Sequence, residues 1–267
     1  MAIGIGTSKG LFAQRLKPAL VIIGAQKAGT TTLFDLLSQH PRIIPPRRKE
    51  ISFFSNDERY AEGMEKYWSE FPSRSLFAGH RITMEASPMY LYHPQAAERV
   101  AKHLPDAICL AVLRDPVERA YSAWNMYHQF KDNARHRHLH DPRTFEQAVA
   151  EELEGKQDLH ARRYLQRSLY APQLEPYFRH VGRDRSLVFA FTRLKHDAHG
   201  LAKEILSRLG LEPLPKNHPA FTVRSNVRTY GSPLDPALEV HLRAYFEADR
   251  LATVELLGKD LDYHEAP

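Results

Sequence analysis

The sequence predicts a single α/β domain: a central parallel sheet flanked by helices. Three observations lead there. First, Ala19–Gly24, Ile108–Leu113 and Ser186–Phe191 are short, mostly apolar runs that read as strands buried on both faces. Second, helical segments of ten or more residues separate them, as parallel crossovers require. Third, the chain has 267 residues and is 43% hydrophobic, enough for one large core. Residues 1–18 read as a lead-in and residues 19–264 as the domain.

The first strand, Ala19–Gly24, runs into Ala25-Gln26-Lys27-Ala28-Gly29, then Thr30-Thr31-Thr32, then Leu33, Leu36 and Leu37 at helical spacing. A strand that breaks into a glycine turn and reopens as a helix presents unpaired N–H groups at the turn. The helix dipole adds positive potential, so the turn favours an anion. Lys27 and the threonine hydroxyls suit a phosphate group. The Walker pattern differs: its lysine follows the second glycine and a Ser/Thr follows the lysine. Here Lys27 precedes Gly29 and Ala28 follows it. The plain alternative is an ordinary strand–turn–helix with an exposed lysine.

Pro41 to Pro46 is too proline-rich for helix and reads as extended chain. Next comes Arg47-Arg48-Lys49-Glu50-Ile51-Ser52-Phe53-Phe54, which reads two ways: a solvated ion-pair cluster, or an acid held in an electropositive cleft. From Glu58 to Phe71, Tyr60, Met64, Tyr67, Trp68 and Phe71 fall at helical spacing, a pattern of core packing. Ile82 to Pro88 reads as a short strand stopped by proline, and a helix follows from Pro94 to about His103.

Ile108–Leu113 ends in Arg114-Asp115-Pro116, with Asp115 suited to cap a helix and Pro116 to its first turn. Ligands of open α/β sheets bind beyond the strands' carboxyl ends, where Arg114 could grip a phosphate and Ser122 could share its face. A capped helix with a surface arginine accounts for the same residues. Residues 128–143 hold His128, His136, His138 and His140, but Asn133, Asp141 and Pro142 make this a loop rather than a metal site. Phe145 to Leu153 and Leu159 to about His180 read as amphipathic helices, the second broken near Pro172 or Pro176. A helix from Ala198 to Leu209 closes at Gly210, residues 221–233 form a polar loop, and a last helix runs from Pro236 to Leu257.

The lone cysteine, Cys109, lies inside a strand and reads as a core thiol. With no secretory pattern and no membrane-length apolar run, the expected location is cytoplasmic. A net charge of +5 favours anionic ligands. Zinc-ligand sets, aromatic RNA-binding signatures and long basic runs are missing from the sequence, which argues against nucleic acid.

Three stretches fall in order: Gly24-Ala-Gln-Lys27-Ala-Gly29-Thr30-Thr31, Arg114-Asp-Pro-Val-Glu-Arg119-Ala-Tyr-Ser122, and Arg167-Ser168-Leu-Tyr170. Together they resemble the signature of sulfotransferases that use 3′-phosphoadenosine 5′-phosphosulfate (PAPS). The resemblance is to the branch containing heparan sulfate sulfotransferases and their bacterial relatives, and extends from about Ala19 to Tyr263. It implies a P-loop-NTPase-like sulfotransferase fold. It also implies that Lys27, Ala28, Gly29, Thr30, Thr31 and Thr32 hold the 5′-phosphosulfate, and that Arg114 and Ser122 bind the 3′-phosphate. Tyr170 and the loop around Arg228 would enclose the nucleotide, with Arg228 a further 3′-phosphate candidate. Glu50 falls where this branch places its catalytic base, and Lys27 joins it as a catalytic residue. No metal is expected. One departure is Glu85-Ala86-Ser87-Pro88-Met-Tyr90, where the glycosaminoglycan enzymes often carry Glu-Lys-Thr-Pro-x-Tyr. The implied acceptor is a glycan hydroxyl, with lipid, polyketide, small alcohol or amine open. Two rival readings are a magnesium-dependent P-loop kinase or NTPase and a non-catalytic polyanion binder.

Overall fold

The computed structural model describes residues 15–74, 81–156, 159–221 and 233–262. Four strands make one parallel sheet: β1 (Pro18–Gly24), β2 (Thr83–Ala86), β3 (Ile108–Leu113) and β4 (Ser186–Ala190), in the order β2-β1-β3-β4. β1 and β3 are the inner strands, in register with Val21 opposite Cys109 and Ile22 opposite Leu110. Every residue of β3 is buried, as its continuous apolar run demands. Cys109 is a free core thiol, pushed up to about 12 by burial.

Helix α1 (Thr30–Ser38) follows β1 and packs on β1 and β2. Two five-residue helices, α2 (Asp57–Ala61) and α3 (Met64–Trp68), cover part of the stretch whose aromatics fall at helical spacing. Gly63 between them has φ 88°, which breaks the helical run. The aromatics still face inward: Tyr67 is buried against Phe53 and Phe54, and Phe71 is buried against Tyr67. α4 (Ala96–His103) precedes β3, and α5 (Pro116–His128) and α6 (Phe145–Leu153) follow it.

The expected helix from 159 to 180 is shorter. Two 3₁₀ turns, His160–Arg162 and Gln166–Ser168, come first, and α7 covers only Ala171–His180. Pro172 sits in its first turn, where the missing N–H costs nothing, and Pro176 lies inside without ending it. α8 (Phe191–His196) begins on the last residue assigned from sequence to the third strand. α9 (Ala198–Arg208) and α10 (Pro236–Leu257) complete the domain, with Gly258 at φ 68° closing α10. α4 packs against α7, and α10 against α5 and α7. The lead-in is anchored at its end: Leu16 N–H donates to Pro72 O at 3.0 Å, and Arg15 bridges Ser73.

The strand order decides where a ligand fits. From β1 the chain moves to β2 on one side; from β3 it moves to β4 on the other. The two connections diverge at the carboxyl ends of β1 and β3, making the crevice where open α/β sheets bind ligands. Lys27 and Arg114 lie just beyond those two ends.

Candidate active site

The glycine turn is shaped by sterics. A Cβ on Gly24 would lie 2.6 Å from Leu91 Cβ and 3.2 Å from Pro88 O, so only glycine lets the end of β1 pass this close to the chain after β2. Lys27 (φ 75°) and Gly29 (φ 80°) both take left-handed backbone, which swings the chain from strand to helix within five residues. Ala25 N–H donates to Val112 O at 2.8 Å and pins the turn to β3. Gly29 is the N-cap of α1 and supplies no capping side chain. The first turn of α1, Thr30 to Thr32, therefore directs its amides and dipole at the space beside Lys27.

Arg114 reaches the same space from β3. Its Nη1 lies 3.4 Å from Lys27 O, its Nε and Nη2 hold Glu118 at 2.9 and 2.8 Å, and its guanidinium covers the Phe191 ring at 5.2 Å. The local sequence sets this pose. Asp115 caps α5 by accepting from Glu118 N–H at 2.9 Å, with Pro116 in the first turn, so Glu118 comes back over Arg114. Arg243 from α10 pairs with the other oxygen of Asp115 at 2.9 Å. Ser122 is buried one turn beyond Glu118, on the same face of α5. Tyr170 is buried: its hydroxyl donates to Arg114 O at 2.7 Å, while its own N–H donates to Asp249 at 2.6 Å. Arg228 lies outside the described residues.

Glu50 arrives from a distant stretch of chain. Ile44 N–H donates to Ile82 O and Ile82 N–H to Arg42 O, holding residues 42–44 beside the start of β2. Buried Ile51, Phe53 and Phe54 anchor the other side. Between them, Lys49 Nζ donates to Thr31 Oγ1 at 2.8 Å and lies 3.2 Å from Glu50 Oε1. One ammonium thus joins the glycine turn to the candidate base. The sequence offered no means of ranking Lys49 above Arg47 and Arg48; its partner Thr31 is eighteen residues away. Arg48 instead pairs with Glu70. The Glu50 side chain is half exposed, open to an incoming molecule.

Behind this segment lies a buried carboxyl that sequence reasoning passed over. Glu85, the next-to-last residue of β2, is fully buried, and three hydroxyls converge on it: Tyr67 at 2.5 Å on Oε2, Tyr90 at 2.5 Å and Ser87 at 2.9 Å on Oε1. Burial pushes its carboxyl up to about 7 against the pull of those hydrogen bonds.

The other basic residues of the signature are internal braces. Arg119 is buried and donates to Ser168 Oγ at 2.6 Å and Tyr164 O at 2.5 Å; burial lowers it to about 10. Arg167 donates to Ala161 O at 2.9 Å and lies over Tyr92. These contacts join α5 to the segment that leads into α7. The histidines of 128–140 assemble no metal-binding group among the described residues, and His128 Nδ1 instead lies 2.9 Å from Asp141 O.

Comparisons with known proteins place the chain in a family. Residues 17–225 match the sulfotransferase domain family. Among curated proteins, the bifunctional heparan sulfate N-deacetylase/N-sulfotransferase 4 of Mus musculus is 30% identical over 73% of this chain and 22% of its own length. The heparan sulfate glucosamine 3-O-sulfotransferase 3B1 of the same organism is 31% identical over 73% of this chain and 46% of its own. The chain thus spans less than half the length of either. Among solved structures, a sulfotransferase from Alicyclobacillus acidocaldarius superposes with a TM-score of 0.72 at 28% identity, over 92% of this chain and 98% of that one. With the domain match covering most of its length, the chain belongs to the sulfotransferase domain family.

Proposed function

We propose that this protein transfers a sulfuryl group from PAPS to an acceptor group, a carbohydrate hydroxyl first and an amine second. The observation that carries this reading is the meeting of three elements at one crevice: the Lys27–Thr32 turn, Arg114 against Lys27 O, and Glu50 joined to Thr31 through Lys49.

The donor set suits PAPS. Lys27, the threonine hydroxyls and the first amides of α1 would hold the 5′-phosphosulfate. Arg114 and Ser122 would take the 3′-phosphate, with Tyr170 fixing the backbone that carries Arg114. Arg228 is a further 3′-phosphate candidate. When bound, PAPS supplies the sulfuryl group and an adenosine bisphosphate that can leave.

The protein's residues then have separable tasks. Glu50 accepts the proton of the acceptor group, a contribution of roughly 10²–10⁴-fold in rate. Lys27 and the amides of the turn stabilise negative charge on the transferred group and the departing phosphate oxygen, fixed in place before the reaction begins. Lys49 orients Glu50 toward the turn. None of these tasks calls for a metal, and Ala28 stands where a Walker loop carries its magnesium-binding hydroxyl.

The test is transfer of labelled sulfate from PAPS to a panel of glycan, alcohol and amine acceptors, without added metal. Labelled product is expected, and Glu50→Gln should lower kcat by roughly 10²–10⁴-fold while leaving binding of adenosine 3′,5′-bisphosphate intact. Turnover by Glu50→Gln near that of the unmodified protein contradicts the role of Glu50. Magnesium-dependent ATP hydrolysis in place of sulfate transfer contradicts the reading itself.

A further inference from the structure

Glu85 is a buried acid with no task in the reaction above, yet its partners point toward the active site. The Ser87 hydroxyl donates to Glu85 Oε1 and accepts from Ser52 N–H at 2.9 Å. The Tyr90 hydroxyl donates to the same oxygen and accepts from Phe53 N–H at 3.0 Å and Phe54 N–H at 3.3 Å. Three consecutive backbone amides directly after Glu50 and Ile51 therefore end on two hydroxyls, and both hydroxyls end on one carboxyl oxygen.

The chemistry fixes the direction of this chain. A hydroxyl has one proton and two lone pairs. While Glu85 Oε1 takes the protons of Ser87 and Tyr90, their lone pairs face the amides of residues 52–54. Ser52 has φ 53°, left-handed backbone that a non-glycine residue keeps only where its surroundings hold it. The segment starting at Ile51 is thereby clamped to the end of β2, whose neighbour β1 carries the glycine turn. Tyr67 completes the carboxyl's coordination on Oε2, and no contact joins its hydroxyl to the amides of 52–54.

We infer that Glu85 is a positioning residue for Glu50, acting through the Ser87 and Tyr90 hydroxyls on the amides of residues 52–54. The inference rests on the assignment of Glu50 as the base, but its structural half stands alone. A shift of about 1 Å at a reacting group can cost roughly 100-fold in rate, so a rigid support behind Glu50 has a catalytic consequence.

The experiment combines hydrogen exchange with a double-mutant cycle. Ser87→Ala is expected to speed exchange at Ser52, and Tyr90→Phe at Phe53 and Phe54. Each should lower kcat by roughly 10–100-fold with unchanged affinity for adenosine 3′,5′-bisphosphate. In a Glu50→Gln background the same substitutions should cost almost nothing more, which a general loss of packing does not reproduce. Glu85→Leu should act as both together; if it fails to fold, the two hydroxyl variants carry the test. Tyr67→Phe, which removes a donor from the carboxyl and touches no loop amide, should keep kcat. Unchanged exchange at residues 52–54 in both hydroxyl variants overturns the clamp. Faster exchange with kcat losses that persist undiminished in Glu50→Gln, or an equal loss in Tyr67→Phe, overturns the coupling to Glu50. Failure of the unmodified protein to bind the bisphosphate or transfer sulfate is a separate result, which removes the functional reading and leaves the exchange arm intact.

Discussion

On the proposed reading, Arg114 would carry the distinction between donor nucleotides. A 3′-phosphate is what separates PAPS from ATP, and a planar guanidinium recognises it through charge-assisted hydrogen bonds of about 1.5–3 kcal/mol. Arg114→Ala is expected to weaken adenosine 3′,5′-bisphosphate by roughly 10- to 150-fold and 5′-AMP very little, as read by titration calorimetry. An equal loss for both ligands would assign Arg114 to the fold instead. Its immediate sequence, Arg-Asp-Pro before a helix, already placed it at a strand end beyond the sheet. The contacts that join the site's residues across the chain were hidden. Nothing local says that the Tyr170 hydroxyl meets Arg114 O across 56 residues, or that Lys49 meets Thr31. Sequence spacing reports faces of one helix or strand; it is silent on which loops meet once the sheet forms.

At the scale of elements, strands were legible and long helices less so. Each inner strand is a short apolar run, because a strand covered on both faces leaves no polar position. The 58–71 stretch kept its inward-facing aromatics without one continuous helix, because Gly63 interrupts it; in 159–180 the expected break falls just ahead of Pro172, with two 3₁₀ turns before α7. Apolar periodicity marks what is buried, whether or not the backbone between stays helical. The glycine turn yields a sharper expectation. Gly24→Ala places a Cβ 2.6 Å from Leu91 Cβ at the root of the ligand loop, so it should destabilise by about 1–3 kcal/mol and weaken bisphosphate binding. Gly210, at φ 67° with open space around it, is the control: Gly210→Ala should cost about 1 kcal/mol of backbone strain and leave binding unchanged. Urea unfolding with and without ligand separates the two. Equal binding by both variants would contradict the tight packing assigned to the turn.

For the whole molecule, the buried carboxyl at the end of β2 gives stability a pH dependence of known sign. Glu85 has an ordinary value of 4.5 when unfolded and about 7 in the fold. Between those limits the native state keeps a proton that the unfolded chain has lost, so stability falls as pH rises from about 4.5 to 7 and levels off above. The span corresponds to roughly 3 kcal/mol. Glu85→Gln removes that proton, so the stability difference between the two proteins should change across this window by an amount of that order; parallel curves would contradict the assignment.

The same molecule-wide stability reports the ligand. At about 100 times its dissociation constant, a ligand specific for the native state adds ~2.7 kcal/mol, or roughly 5–10 °C in Tm for a chain this long. Melting the protein with adenosine 3′,5′-bisphosphate, 5′-AMP and Mg-ATP in parallel is the most direct test of a crevice formed by the β1 turn and Arg114. A rise with the bisphosphate alone is the expected result; a rise with Mg-ATP alone, or none with the bisphosphate, would contradict it.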